Sequence, residues 1–459
     1  MTQRKLEQKS QGSAAGEDLR AARGELEQRV AQILDEAARQ GATAAEVSVS
    51  RSLGLSVSVR RGELETVEFN RDQGFGITVY QGLRKGSAST TVADGSAVAD
   101  TVTKALGIAR HTAEDPAAGL ADARLLAGQR VALDLHHPWH LDVPEAERIA
   151  RDCEAAALGV DGRITNSEGA TVGTSQVCRA YGNSAGFIGS ECGTRHGISV
   201  AVIASDAAGM QRDYWYSVSR LHQSLEPAEA VGRRAGERTV ARLGARGVKT
   251  ERVPVVFATE VAGSLMGHLL GAISGGSLYR RASFLCDALG EQLFPARIRI
   301  DERPHEPRGL GSAAFDGDGV ATRAKAFIDD GALASYLLSV YSARRLGMET
   351  TGNAGGVHNL HVSSDGVSLD ALLQDMGRGL LVTELMGQGV NGVTGDYSRG
   401  AGGFWIEDGA IAFPVQEVTV AGNLRRMFAD LRTVADDAIR PGNIRCGSLL
   451  IDGMTVAGN

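Results

Sequence analysis

The stretch from Val253 to Ser274 constrains the fold more than any other, because its hydrophobic period changes part-way along. Its first part, Val253-Pro-Val-Val-Phe257, is a run of β-branched and aromatic residues that favours a buried strand. From Thr259 the apolar residues recur every three and four positions, which is the spacing of a helix. The sequence therefore predicts a strand that passes directly into a helix.

The predicted helix carries a single acidic residue. On a period of 3.6 residues, Glu260, Ser264 and His268 fall on one face beside an apolar stripe. A carboxylate near a hydroxyl and an imidazole indicates a catalytic base, a metal site or a satisfied structural polar cluster. The spacing disfavours a metal site, because zinc-protease helices place an imidazole directly before the glutamate and here that residue is Thr259. The rest of the helix is uncharged and rich in glycine, and we expect it to be buried and to end at Gly275 rather than to span a membrane.

Composition narrows the classes of partner. The chain has 459 residues, enough for two or three domains with their own cores. Its net charge is −7 and its pI about 5.9, whereas a protein that binds a phosphate backbone needs a basic stripe. Nucleic acid is therefore not the expected partner. The 59 glycines indicate many turns and closely packed strands.

Neither the cysteines nor the N-terminal residues indicate an exported protein. Five cysteines are scattered along the chain without a Cys-x-x-Cys pair, so neither a disulfide framework nor a zinc ribbon is predicted. Residues 1–23 are polar and lack the apolar core of a signal peptide. We expect them to form a flexible leader, of undefined role, on a cytoplasmic protein.

Residues 24–245 are predicted to form an N-terminal α+β domain. Helical spacing runs from Leu26 to Ala38 and stops at Gly41. Alternating apolar and polar residues then run from Val47 to Val79, which predicts an antiparallel sheet with one wet face and covering helices. A sub-boundary is expected near residues 116–141. The glycines expected to separate the strands are Gly54, Gly62 and Gly74.

Residues 246–459 are predicted to form a second, β-rich domain with helices. Two segments place apolar residues around an Asp-Gly pair, at Asp330-Gly331 and at Asp408-Gly409, and this pattern favours hairpins. Amphipathic helices are predicted near 369–376 and from Leu424 to Val434. The fold class is therefore α+β, with a mostly antiparallel C-terminal domain rather than parallel winding.

Glycine-rich segments of the second domain are candidates for binding an extended peptide, because a backbone can approach closely where side chains are absent. A peptide could pair with a sheet edge there through main-chain hydrogen bonds. His358 and His361 lie three apart, a spacing that does not favour metal binding on a strand, so polar contacts within the loop are expected for them. The candidate peptide-binding residues are Gly355, Gly356, His358, Asn359, Gly402 and Gly403.

Several motifs of the chain resemble the TldD/PmbA family, and specifically its PmbA (TldE) branch. The similarity extends from about Leu26 to Asn459. The segments that carry it are Tyr341-Ser-Ala-Arg-Arg-Leu-Gly347, Thr351-Gly-Asn-Ala-Gly-Gly-Val-His-Asn-Leu360, Leu381-Val-Thr-Glu-Leu-Met-Gly-Gln-Gly-Val-Asn391, Thr394-Gly-Asp-Tyr-Ser398, Gly402-Gly-Phe-Trp-Ile406, Val420-Ala-Gly-Asn-Leu424 and Cys446-Gly-Ser-Leu-Leu450, with Gly86-Ser-Ala-Ser89 and Glu114-Asp-Pro116 in the first half.

The resemblance implies one subunit of a heteromeric zinc metalloprotease. Such complexes pair a PmbA-like chain with a TldD-like partner, cleave unfolded peptides and help mature peptide antibiotics of the microcin kind. The metal-bearing branch carries HExxxH and a later cysteine ligand. Here the matching positions read Thr259-Glu260 and Ser264, with Cys446 as the later cysteine. The resemblance thus implies a remnant of the motif, no metal bound by this chain, and the zinc in the partner.

Two other functions stay open from sequence. One is a peptide-binding or regulatory module without enzymatic activity. The other is an autonomous hydrolase that uses Glu260, His268 and Cys446. Whether His268 and Cys446 keep any affinity for metal is not determined by the sequence. A homodimer is the alternative assembly, and the natural peptide and the stoichiometry are undefined.

Overall fold

The computed structural model describes residues 18–128, 131–439 and 442–458. Most of the expected leader, residues 1–17, lies outside this part. Leu19–Ala22 form a short 3-10 turn, and Leu19 is fully buried. Its backbone N–H lies 3.3 Å from Oε1 of Gln176. The expectation of a flexible leader is therefore wrong for residues 18–23, because the Leu19 side chain completes the core beneath the first helix.

The N-terminal unit is one six-stranded antiparallel sheet covered on one face by four helices. The sheet order is β3-β2-β1-β4-β5-β6. Helices α1 and α2 cover one end of this face, and α3 and α4 cover the other. The elements are α1 (Arg23–Arg39), β1 (Ala44–Arg60), β2 (Glu63–Gln81), β3 (Arg84–Thr90), α2 (Gly95–His111), α3 (Val143–Leu158), β4 (Ile164–Asn183), β5 (Phe187–Asp206), β6 (Gly209–Ser219) and α4 (Ala228–Ala241).

The predicted sheet with one wet face is confirmed, but two of its expected separators are not turns. Alternate side chains of β1 point to the helices and are buried, while those at the positions between them are partly or fully exposed. The buried set includes Val47, Val49, Leu53, Leu55, Val57 and Val59. Gly54 and Gly74 lie inside the long strands β1 and β2. Of the three separating glycines only Gly62, with φ +74°, makes a turn.

One disulfide crosses this sheet. Cys178 on β4 and Cys192 on β5 stand directly opposite each other with their Cα atoms 4.0 Å apart, and their sulfur atoms are bonded. Sequence spacing gave no sign of the pair, because only the strand register places the two residues face to face. Cys153, Cys286 and Cys446 are free.

The C-terminal unit contains two sheets around a large core. A five-stranded sheet has the order β10-β9-β8-β11-β16, and a six-stranded sheet has the order β14-β13-β12-β7-β17-β15. Most pairs are antiparallel, and β7–β12 and β11–β16 are parallel. The strands are β7 (Glu251–Phe257), β8 (Ile300–Glu302), β9 (Lys325–Asp329), β10 (Ala332–Leu333), β11 (Leu360–Val362), β12 (Gly379–Met386), β13 (Asp396–Glu407), β14 (Ala410–Asn423), β15 (Leu431–Val434), β16 (Ile444–Arg445) and β17 (Leu449–Ala457).

The α+β prediction is confirmed, and so is the passage from a strand into a helix. β7 is buried between β12 and β17, and α5 begins two residues after it. The predicted helix from Leu424 to Val434 is only half right, because α9 ends at Ala429 and Leu431–Val434 pair with β17 as a strand. The helices of this unit are α5 (Thr259–Ala272), α6 (Gly275–Tyr279), α7 (Val340–Arg345), α8 (Leu369–Met376) and α9 (Leu424–Ala429).

The two units are packed against each other over an extended interface. The segment near the expected sub-boundary contributes Ala121, which forms a small apolar cluster with Val320 and Val340 of the C-terminal unit. The N–H of Ala127 donates to the carbonyl of Gly319 at 3.1 Å. In the part of the chain that the structure describes, no helix is long and apolar enough to cross a membrane.

Candidate functional site

A cleft of about 460 Å³ lies between the two units. The N-terminal unit contributes β6 and α4 to its walls, and the C-terminal unit contributes α5, β12 and β13. Glu260 and Ser264, the face of α5 singled out by sequence, both line it. The sequence pattern therefore located one wall of the cleft but not the wall that faces it.

Strand β6 presents its edge to this cleft. Seven consecutive residues, Arg212 to Val218, line the cavity. Successive side chains of a strand point to opposite faces, so a run without alternation shows that the cleft follows the strand's edge. Within the described residues β6 pairs only with β5, which leaves outer main-chain groups for another strand, except the N–H of Tyr214, which donates to Oδ1 of Asp213 at 2.7 Å.

Glu260 is held by an arginine from the opposite wall. The guanidinium of Arg238, on α4, forms an ion pair with the Glu260 carboxylate and lies 3.4 Å from Oδ2 of Asp213 on β6. Burial acts to lower the pKa of Arg238, but Asp213 and Glu260 reverse this and raise it. The carboxylate that sequence analysis marked as a candidate base is therefore engaged in a charge network across the cleft.

A second ion pair runs beside the first. Arg242, the residue that caps the C-terminus of α4, pairs with Glu384 on β12 and lies 3.6 Å from Asp213. Asp213 is 4% exposed and thus anchors both arginines from inside the N-terminal unit. The network Asp213, Arg238, Arg242, Glu260 and Glu384 joins the two units, and we call it the ionic clamp.

Trp215 forms the floor of the cleft beneath the arginines. The guanidinium of Arg234 lies 3.9 Å from the centre of the indole ring and that of Arg238 lies 5.2 Å from it. The indole N–H donates to Oε1 of Glu226 at 3.3 Å. Cation–π contact of this kind orients the guanidinium groups toward the cavity.

The residues at the HExxxH positions do not fit a metal. The hydroxyl of Thr259 donates to the carbonyl of Cys446 at 2.9 Å, and its N–H donates to Oγ of Ser448 at 3.0 Å. Burial, and more weakly Asp437, raise the pKa of the Cys446 thiol, whereas a metal ligand must be a thiolate. Because Glu260 is bound to Arg238, these residues do not provide the three deprotonated ligands that a zinc site needs. Over the described ranges, no group of three or more His, Cys, Asp and Glu side chains is placed to hold a metal ion.

His268 lies one turn beyond Ser264 on α5. Its imidazole stands edge-on to the ring of Tyr397, with the ring centroids 5.8 Å apart. Burial, with a smaller effect of Arg399, lowers the pKa of His268, so the ring is neutral near pH 7. The structure gives Glu260, His268 and Cys446 different partners and does not assemble them into one catalytic group.

The first group of candidate peptide-binding residues is mostly structural. Gly355 and Gly356 form an open turn with φ +101° and +118°. The N–H and Nδ1 of buried His358 both lie 2.8 Å from Oε1 of Glu302. The amide of Asn359 donates to the carbonyl of Arg303 and to Oγ of Ser312.

The second group lies in the middle of a sheet. Gly402 and Gly403 are on β13, which has β12 on one side and β14 on the other, so the sheet edge proposed there from sequence does not exist. A Cβ on Gly403 would meet the carbonyl oxygen of Leu381 at 1.9 Å, and one on Gly402 would meet the Arg242 guanidinium at 3.3 Å. These glycines allow close strand approach beneath the ionic clamp rather than providing a free edge.

A second cavity of about 400 Å³ continues the cleft, because Val218 and Ser224 line both. It contains Arg220, Arg445 and the pair formed by His361 and Glu306, whose Nε2 and Oε2 atoms are 2.8 Å apart. The side chains that sequence reasoning missed in these cavities are Asp213, Trp215, Arg234, Arg238, Arg242 and Arg399. They come from segments with no unusual local pattern.

Comparison with known proteins places this architecture in a family. Family models of PmbA/TldA metallopeptidases match residues 45–109 as domain 1, residues 136–243 as the central domain and residues 250–458 as the C-terminal domain. The chain belongs to the PmbA/TldD family of metallopeptidases, as its motifs predicted.

Particular relatives place it on the PmbA side of the family. The chain is 49% identical to the metalloprotease PmbA of Escherichia coli O157:H7, over 90% of this chain and 92% of the relative. It is 45% identical to a PmbA homolog of Haemophilus influenzae, over 96% and 98% of the two chains.

Solved structures share the fold over nearly the whole length. A Bacteroides thetaiotaomicron protein named as a candidate modulator of DNA gyrase superposes with a TM-score of 0.89 at 27% identity, over 94% of this chain and 98% of that one. TldE of Thermococcus kodakarensis superposes with a TM-score of 0.81 at 20% identity, over 94% and 100% of the two chains, and this likeness concerns the fold alone.

Proposed function

We propose that the chain is the PmbA/TldE-type subunit of a two-component zinc metalloprotease, and that the catalytic metal lies in a TldD-like partner. The observation that carries the proposal is the ion pair between Glu260 and Arg238. A general base must reach the proton that it abstracts, whereas this carboxylate is committed to a guanidinium. The acid at the motif position therefore joins the two units of the subunit instead of acting on substrate.

The cleft supports unfolded peptides as the substrate class. The free edge of β6 runs along it for seven residues, and an added strand would gain main-chain hydrogen bonds without requiring a particular sequence. A folded protein has few unpaired strands to offer such an edge. In the complex, the cleft would guide a peptide toward the partner's metal centre. The precursors of modified peptide antibiotics belong to this class of substrate.

The test uses three preparations: this chain alone, a TldD-like chain alone, and the two purified as a complex. We expect cleavage of an unfolded polypeptide by the complex only, with no cleavage of the same polypeptide when it is folded. Turnover by this chain alone, undiminished after affinity removal of any companion, would contradict the proposal. A homodimer that cleaves peptides would contradict it as well.

Binding without catalysis is the second candidate function. The ionic clamp favours this second function, because it engages Glu260 in an ion pair and so removes a catalytic group from this chain. It is distinguished by the same assay, because a regulatory module would bind peptides while adding nothing to the turnover of a TldD-like chain.

A further inference from the structure

Two buried polar atoms beside the cleft lie close together, and neither has a hydrogen-bond acceptor among the described residues. They are Nε2 of His268 and the hydroxyl of Tyr397. Tyr397 is 2% exposed, and its ring stands edge-on to the imidazole. A buried donor that lacks an acceptor is destabilising, so a pair of them in one place indicates a ligand group that would satisfy both.

The positions of the two residues extend the wall of the cleft. His268 is one helical turn beyond Ser264, which lines the cavity. Tyr397 is two positions before Arg399 on β13, and alternate residues of a strand share a face. Both rings therefore adjoin residues that line the cavity, at the place where α5 and β13 meet.

Arg399 supplies a positive charge at the same place. Its guanidinium interacts electrostatically with both His268 and Tyr397, and it lies within hydrogen-bonding reach of the Tyr397 hydroxyl. Its Nε donates to the carbonyl of Gly387 at 3.1 Å. This bond fixes the side chain through Nε and does not use the two terminal nitrogens. Among the described residues Arg399 has no carboxylate partner, in contrast to the arginines of the ionic clamp.

We propose that Arg399, Tyr397 and His268 form a binding site for a carboxylate group of a peptide in the cleft. The guanidinium neutralises the anion, and the phenol O–H and the imidazole Nε2–H donate to its oxygens. Each donor is then paired, and a carboxylate accepts several such bonds. The neutral imidazole suits this role, because it can place a proton on Nε2 without adding a second charge.

This proposal rests on the proposed peptide-binding function and specifies how a peptide is held. The shared chemistry is a carboxylate, which a peptide carries at its C-terminus or on an acidic side chain. Because β6 can align the main chain along the cleft, the group at its end would fix the register that main-chain pairing alone leaves free. The site would thus determine where along the cleft a peptide binds, although the main-chain pairing itself does not depend on sequence.

The first experiment measures binding of short N-acetylated peptides to the full chain. One peptide has a free C-terminal carboxylate, one is C-terminally amidated, and one is amidated with an internal glutamate. We expect a carboxylate to strengthen binding by about tenfold to a hundredfold, as charge-assisted hydrogen bonds do. A preference for the first peptide identifies the C-terminus and a preference for the third identifies a side chain. Arg399→Gln and Tyr397→Phe should remove the preference, and Ser398→Ala, on the opposite face of β13, should keep it.

Equal binding of all three peptides, or a preference that survives Arg399→Gln, would overturn the carboxylate site while leaving peptide binding in place. A second experiment tests the site without any peptide. Titration with acetate should shift the imidazole signal of His268, assigned from the spectrum of His268→Asn, and should not do so in Arg399→Gln. If acetate leaves this signal unchanged in the parent protein, the site is wrong whatever the peptides do. If acetate shifts it and no peptide binds, the site stands and the proposed function fails.

Discussion

Replacing Glu260 by glutamine separates a structural role of this residue from a catalytic one. Glutamine keeps the shape and one acceptor oxygen but removes the charge that pairs with Arg238. The two side chains are 19% and 21% exposed, which places the pair between surface ion pairs and buried ones. Surface pairs contribute about 0 to 1 kcal/mol. Breaking a buried pair costs about 3 to 5 kcal/mol.

Arg238 retains Asp213 at 3.4 Å after the substitution, so its charge is not stranded. We therefore expect Glu260→Gln to lower the free energy of unfolding by about 1 to 2 kcal/mol. Urea unfolding followed by tryptophan fluorescence would measure this, because Trp215 lies against Arg238 and reports on the cleft. The control is Glu168→Gln, whose partner Arg212 is 2.8 Å away in a pair that is nearly half exposed. It should change stability by less than about 0.5 kcal/mol.

The same variant is then assayed as part of the assembled complex. We expect peptidase turnover within about threefold of the parent, because Glu260 does not touch the reacting atoms in our account. Loss of a general base would instead lower turnover by about 10²-fold to 10⁴-fold. A Glu260→Gln subunit of unchanged stability whose complex loses activity on that scale would refute the reasoning.

Two further predictions concern single residues that are not themselves part of the ionic clamp. Gly403→Ala should destabilise the fold far more than Gly402→Ala. The Cβ added at position 403 meets the fixed carbonyl of Leu381, whereas the Cβ added at position 402 meets the end of a flexible side chain. Thermal unfolding of both variants measures the difference, and equal melting temperatures would contradict the prediction. Burial, together with neighbouring Asp318, raises the pKa of Asp316 to about 6, above its unfolded value. The folded state therefore holds this proton more tightly, and the stability that it contributes is lost as pH rises through about 4 to 6. Relative to Asp316→Asn, the parent protein should lose about 2 kcal/mol of its free energy of unfolding between about pH 4 and pH 6. If the free energies of unfolding of the two proteins change in parallel with pH, the Asp316 carboxyl is not the cause.

The local part of the site could be predicted from sequence, because it depends on one helix. The period of the residues after Thr259 placed Glu260 and Ser264 on one face, and both line the cleft. The Asp-Gly hairpins were likewise readable, since Asp330 and Asp408 adopt positive φ directly before a glycine, as such turns require.

The partners of that helix could not be predicted, because they are set by tertiary packing. Arg238 lies in the last turn of an ordinary amphipathic helix and Arg242 caps it, and nothing in their spacing indicates which carboxylates they face. Asp213 reads as one polar residue of an alternating strand, although it is the buried anchor of both arginines. Gly402 and Gly403 suggested a free edge, and only the strand order shows that β13 is internal. The sequence correctly indicated that these glycines allow another backbone to approach closely. It did not indicate that this backbone is a neighbouring strand of the same sheet rather than a peptide.

We expect Glu260 to serve the ionic clamp and this chain to hold no catalytic metal. Elemental analysis of the complex, after its two chains are separated under conditions that retain bound metal, tests this most directly. We predict zinc with the TldD-like chain, far below one equivalent with this chain, and no change in either value on Glu260→Gln. One zinc per copy of this chain, lost on Glu260→Gln, would contradict the account.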